Sequence, residues 1–258
     1  MKNVLFLFLI LGMFNSEAAV QKADKLIKPV PESIQKHELF PAFLRKYKGK
    51  DGLASLRKRT LAQKNKAVPL LTYVMKSKRF PDKNRWVATF ALGQIMGVKA
   101  APYLSKFTSH PNWMMRLASL KTLMSLDQKQ FKGIYTRLLT DKAMIVRLQA
   151  LETIKQFQLK SLAPYVWAML YDKNNYSGAK GGRKRGEIIR SIVKTVGDLG
   201  FKKAVKPMMQ MIQKKKYKDI HGELDYALSA ILGKSSPDGD ISLKKHFWGR
   251  EYQKTITL

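Results

Sequence analysis

Cysteine is absent from the 258 residues. That excludes disulfides, thiolate metal sites, a Cys nucleophile and lipid attachment at an N-terminal Cys. It suits an oxidising compartment without requiring one. Acidic residues are scarce, with 18 Asp and Glu against 49 Lys and Arg. Paired carboxylates for acid–base work are therefore hard to assemble, and Glu152, Glu187, Glu223 and Asp225 read as isolated charges on helix faces. His37, His110, His221 and His246 are scattered, with no HExxH motif and no paired-His helical spacing. There is no GxSxG. Asp238 and Asp240 in PDGD lack the further acids that a calcium loop needs. No catalytic residue, metal ligand or cofactor is implied, and the chain reads as a non-enzyme.

Long apolar runs are missing too, except at the start. Val4–Phe14 is apolar over 11 residues, follows Lys2, and precedes Ser16-Glu17-Ala18. This is the layout of a signal peptide, 1–18, with cleavage expected after Ala18. The run is too short to span a membrane as a helix, and no later stretch does better. The expectation is an exported protein, periplasmic or secreted, without a transmembrane segment.

What the chain has in excess is positive charge, +31. Lys2 and Glu17 cancel, so the mature chain keeps that value. Such an excess points to partners: an acidic protein, or a polyanion such as nucleic acid or a cell-envelope polymer. The alternative is a diffuse basic surface with no dedicated ligand.

A second abundance is internal repetition. Arg85–Gly97 reads RWVATFALGQIMG, and degraded copies begin at Arg116, Arg147, Ile189 and His221. The spacings of 31, 31, 42 and 32 residues mark stacked helical pairs. Gly52–Lys64 and Val68–Ser77 form one more pair, a period upstream. First helices carry apolar or small residues at i, i+3, i+4 and i+7: Ala88, Ala91, Leu92 and Ile95 in the clearest copy. Gly97, Gly200 and Gly233 are expected to stop helices. Pro69, Pro102, Pro164 and Pro207 mark the first turn of second helices, with Gly133 in the remaining copy. A core stripe follows each marker, for example Tyr103, Leu104 and Phe107, or Tyr165, Val166 and Met169. Arg85, Arg116 and Arg147 read as packing residues that bridge neighbouring turns, with Asp82, Asn112 and Asp141 as candidate helix caps. Trp86 and Phe90 are expected to pack on an N-terminal cap, and Trp113 in a corner between units.

The Arg85…Ala88…Ala91-Leu92-Gly93…Ile95…Gly97 pattern, with the proline opening each second helix, resembles the HEAT-repeat family. The closest likeness is to its short bacterial form, the HEAT-like repeats of phycobilisome-lyase type. The resemblance implies an all-α, right-handed α-solenoid of about six helix pairs. It spans 52–233, between an N-terminal arm or cap at 19–51 and a C-terminal cap at 234–258, where a Trp plugs the last repeat. It implies a scaffold for binding, with second helices on the concave face, and no activity of its own. Some alkylpurine DNA glycosylases share this fold, which keeps a nucleic-acid-binding relative in view.

The periodicity fails in two informative places. The long spacing holds an insertion, 172–186, reading DKNNYSGAKGGRKRG. Its glycines with Lys180, Arg183, Lys184 and Arg185 would suit phosphate or carboxylate oxygens, or else form a solvated linker. It lacks the Gly-Lys-Ser/Thr ending of a P-loop. Just before it, Trp167 and Tyr171 occupy positions that are polar in the other copies. They form either an exposed aromatic step or a patch that the inserted loop covers. Basic runs at 45–66 and 202–218 read as solvated faces or as a continuous basic surface. The candidate binding set is therefore Trp167, Tyr171, Lys180, Arg183, Lys184, Arg185, Lys203, Lys206 and Lys214. The expected protein is a monomeric exported binding scaffold for an acidic protein or polyanion. The alternatives are a purely structural scaffold with incidental charge, or a nucleic-acid-binding relative.

Overall fold

The structure, a computed structural model, describes residues 29–176 and 186–254. Residues 1–18, and with them the expected signal peptide, lie outside the described residues. So do Lys180, Arg183, Lys184 and Arg185. No strand occurs among the described residues, and the chain is all-helical there. No helix among them is long and apolar enough to cross a membrane.

Two short helices come first, α1 (Glu32–Gln35) and α2 (Phe40–Leu44). Helices α3 (Asp51–Ala62) and α4 (Val68–Lys76) follow, then α5 (Asp82–Met96) and α6 (Ala101–Phe107). Next come α7 (Trp113–Ser125), α8 (Lys132–Leu138), α9 (Met144–Gln156) and α10 (Ala163–Ala168). The chain closes with α11 (Glu187–Asp198), α12 (Val205–Gln213), α13 (His221–Leu232) and α14 (Ile241–Lys254).

From α3 onward the contacts follow a rule. Each odd-numbered helix packs on the next odd-numbered one, from α3 through α13. Each even-numbered helix from α4 to α12 packs on the odd helix that follows it. The last helix, α14, packs on α12. The local signals explain this regularity. Proline sits in the first turn of α4, α6 and α10, where its missing N–H has no intrahelical partner to lose. Asn112 caps α7 by accepting from the Met114 N–H at 2.8 Å. The other two candidate caps serve differently. Asp82 lies inside α5 and binds Arg85, while Asp141 accepts from Ala143 N–H and pairs with Arg116.

Each odd helix from α3 to α13 is followed by a backbone switch to positive φ. Lys64, Gly97, Asp127, Gln158, Gly200 and Gly233 all take positive φ, between 48° and 66°. Three of these are glycines, as the sequence suggests. Lys64, Asp127 and Gln158 take a positive φ against their intrinsic preference, so the packing on either side enforces it.

Small residues let the odd helices approach. A Cβ on Gly197 would stand 2.6 Å from the Ala227 Cα, so α11 and α13 meet backbone to backbone. The apolar residues form two clusters that share α7. Met115 and Leu123 face the N-terminal cluster, and Leu117 and Leu120 face the C-terminal one. Helices α1 and α2 contribute Ile34, Leu39, Phe40 and Phe43 to the first. Trp248 of α14 is fully buried in the second, with its indole N–H donated to Asp225 at 2.7 Å. Tyr165, placed on a core stripe by the repeat pattern, is instead 54% exposed. It stands just after the α10 proline, where that short helix turns outward.

The recurrent arginines tie one unit to the next. Arg85, almost fully buried, donates to the Met75 carbonyl from Nε and Nη2 at 3.3 and 2.8 Å. Arg116 grips Asp141 with two bonds of 2.6 Å and reaches the carbonyls of His110 and Pro111. Arg147 donates to Asn175 Oδ1 at 2.8 Å and to the Asp141 carbonyl at 2.7 Å. Arg190 pairs with Glu223 at 2.7 Å. A planar guanidinium with five donors suits this bridging of several carbonyls at once.

Candidate functional site

The aromatic step lies at the end of α10. Trp167 is half-buried against the core, and Tyr171 is 73% exposed. Their rings meet edge to face at 6.5 Å. Tyr171 ends a one-turn 3-10 segment, Met169–Tyr171. The chain then enters the insertion along a fixed path. Asp172 accepts from the Asn174 N–H, Asn175 donates to the Met169 carbonyl, and Tyr176 donates to the Leu170 carbonyl. Arg147 holds Asn175 from the preceding odd helix. The insertion thus leaves the stack beside Tyr171. Its cations Lys180, Arg183, Lys184 and Arg185 lie outside the described residues.

Lys203, Lys206 and Lys214 are exposed on the next even helix. Lys203 is in the lead-in turn, Lys206 in the first turn of α12, and Lys214 just past its end. A cation in a first turn opposes the helix macrodipole, a mildly unfavourable position that an anionic ligand would offset. Seven residues past each marker stand Lys76, Ser109, Thr140, Tyr171 and Lys214, and all five are exposed. Three residues past the marker, Thr72, Ser105, Thr136 and Trp167 are half-buried, and Gln210 is exposed. Gln210 donates to the Tyr252 hydroxyl at 2.6 Å, so α14 reaches this row.

Six of the 18 acids serve the fold. Asp82, Asp141, Asp198, Glu223, Asp225 and Glu251 each pair with a cation of the chain. Burial pushes the Asp141 carboxyl up, but bonds from Arg116 and the Ala143 N–H outweigh it and hold the group below its usual range. Asp225 follows the same pattern, held down by Lys244, Ser236 and Trp248 against burial. With these acids committed internally, the positive excess faces outward.

His110 is different. Burial, then the Arg85 and Arg116 guanidinium groups, push its pKa below the ordinary value. Its Nε2 lies 3.0 Å from Arg85 Nη2, and its Nδ1 accepts from the Asn112 N–H. This is a joint between α5 and α7. Among the described residues no group of three His, Asp or Glu converges as metal ligands would.

A sizeable cavity lies on the other row of helices, where sequence reasoning placed no site. Trp86 and Phe90, expected on the N-terminal cap, line a groove of about 680 Å³ that crosses α3, α5, α7 and α9, with Lys50 from the end of that cap at its edge. Trp113, expected in a corner, is 43% exposed on the same groove. One signal could have found it: the residue after the recurrent arginine, which is Trp86, Leu117 and Leu148 in successive copies and then Ser191. No protein-family model matches the chain, and no curated protein matches it.

Proposed function

We infer that the chain is an exported, non-enzymatic HEAT-like scaffold, a right-handed solenoid of about six helix pairs with caps at 19–51 and 234–258. The unbroken order of contacts from α3 to α13 and the switch repeated after each odd helix support that architecture. The buried Trp248 supports α14 as the closing cap. The scaffold holds an acidic protein or polyanion on the side that carries Tyr171, Lys203, Lys206, Lys214 and the 172–186 loop. The observation that carries the reading is the net charge of +31, with Asp82, Asp141, Glu223 and Asp225 already paired to cations of the chain.

The test is the salt dependence of binding by the mature chain, with polyglutamate and duplex DNA as probes. For DNA, the slope of log affinity against log salt is expected near −0.9 per phosphate contacted. Replacing Lys203, Lys206 and Lys214 with Gln lowers the slope and the affinity together. Replacing Lys180, Arg183, Lys184 and Arg185 with Ser asks the same of the loop. Absence of binding to either probe at low salt overturns the reading. Release of free base from alkylated DNA would replace it with a glycosylase.

A further inference from the structure

The odd-helix groove is built from two unlike ends. At one edge stand Lys50 and Arg57, two turns apart on α3, and Lys83 in the first turn of α5. All three are exposed, and none forms a salt bridge among the described residues. Arg57 donates only to the neutral Gln94 amide, at 3.0 and 2.9 Å, so its charge is uncompensated. From that edge the groove runs over Trp86 and Phe90, whose rings lie 5.4 Å apart, to Trp113, Met114 and Ile145 on α7 and α9. Among the described residues no acid lines it, and those on its far side are apolar.

Exposure of this much aromatic and aliphatic surface in one concavity is costly in water, and it is atypical of a solvated helix face. The volume falls in the usual range for small-molecule sites, roughly 300–1,000 Å³. The polarity indicates what kind of molecule fits. An amphipathic helix would lay an apolar face along such a groove. Here the cations gather at one edge and the hydrocarbon-like wall extends away from them.

The geometry points to a binding site for an anionic single-chain amphiphile. Its carboxylate or phosphate lies against Lys50, Arg57 and Lys83, and its alkyl chain covers Trp86, Phe90 and Trp113. This site is on the opposite row of helices from the acidic-partner surface and does not depend on it. The ligand's source, free fatty acid or a lysophospholipid released from a membrane, shares this chemistry.

The experiment uses the full mature chain and three dodecyl probes below micelle formation: laurate, dodecyl maltoside and dodecyltrimethylammonium. Calorimetry is expected to show one laurate per chain, bound about tenfold or more tighter than the other two. The triple variant Lys50→Gln, Arg57→Gln, Lys83→Gln should remove that preference and leave dodecyl maltoside unchanged. In a second arm, 12-bromododecanoate quenches indole fluorescence. Replacing Trp86 and Trp113 with Phe should abolish most quenching while binding persists, because Trp167 and Trp248 lie elsewhere. Circular dichroism confirms that each variant is folded.

Equal affinity for the three head groups overturns the proposal, as does multiple binding with loss of helix signal. So does quenching that survives in the Phe variant. Binding of an acidic amphipathic peptide that the triple variant abolishes, with no laurate binding, would assign the groove to a protein partner. Comparing laurate with lauroyl lysophosphatidylglycerol separates the two sources; preference for either supports the site.

Discussion

The outward faces of the odd helices differ between the two halves of the molecule. Along α3, α5 and α7 the outward positions are Leu53, Trp86, Phe90 and Trp113, and they leave an open groove. Along α9, α11 and α13 the corresponding face carries Glu152, Lys155, Lys194 and Tyr226. Those charges close on one another. Lys155 stands 3.4 Å from Asp198, Tyr226 donates to Asp198 at 2.5 Å, and Lys194 lies over the Tyr226 ring at 5.4 Å. The cavity there is smaller, about 290 Å³, and holds Glu187 and Glu152. One backbone plan therefore supports two surfaces. On the charged one, the Lys155–Asp198 pair bridges the gap between α9 and α11. Aromatic rings pack on their own helix and leave the gap to a ligand.

The sharpest way to break this comparison is at the junction of the halves. Arg116→Met strands the Asp141 carboxylate, which is almost fully buried. A loss of about 3 kcal/mol is expected in urea unfolding, because an unpaired buried charge is left behind. An effect under 1 kcal/mol would mean that the junction does not couple α7 to α9. Gly197→Ala attacks the charged half alone. The new methyl meets the Ala227 backbone, which cannot swing aside, so a loss of roughly 2 kcal/mol is expected from the same measurement.

Phe90→Glu gives the groove the residue that the equivalent position of α9 carries, Glu152. Laurate affinity should fall about tenfold with stability nearly unchanged, since Phe90 is only half-buried. An unaltered affinity would remove Phe90 from the site.

A pH titration of stability sharpens the contrast further. The folded pKa of His110 is depressed, so the unfolded chain binds the extra proton, and stability should fall as pH drops below about 6.5. His110→Gln should make that slope shallower. Some slope will remain, because burial also lowers the His221 pKa. Equal slopes in the two proteins would show that His110 is solvated. The smallest effect belongs to Asp198→Asn. The hydrogen bond to Asp198 raises the Tyr226 pKa, so its ultraviolet titration should move down toward 10.0, with a stability change of about 1 kcal/mol or less.

Helical periodicity, the first-turn prolines and three of the positive-φ glycines were legible because each acts locally. Proline fixes its own φ, and glycine tolerates a positive one wherever it stands. Lys64, Asp127 and Gln158 gave no such signal, because their conformation is imposed by the helices they join. The bridging role of Arg85, Arg116 and Arg147 could be read from their exact recurrence, but their partners could not. Those partners lie upstream for Arg85, in Met75, and up to 28 residues downstream for the others, as Asn175 does for Arg147. The groove escaped for a related reason. Trp86 and Phe90 sit at helical spacing and read equally well as core or as lining.

The sequence by itself determined a helical chain of repeated pairs, its charge of +31 and the place where its period breaks. These depend on neighbours three, four or about thirty residues away along the chain. Tertiary structure alone decided which apolar positions are covered, which acids are spent on internal pairs, and which row of helices carries an open aromatic groove. Burial is a property of what packs on a side chain, and for Trp86 and Trp113 nothing in the neighbouring sequence says that the space above them stays empty.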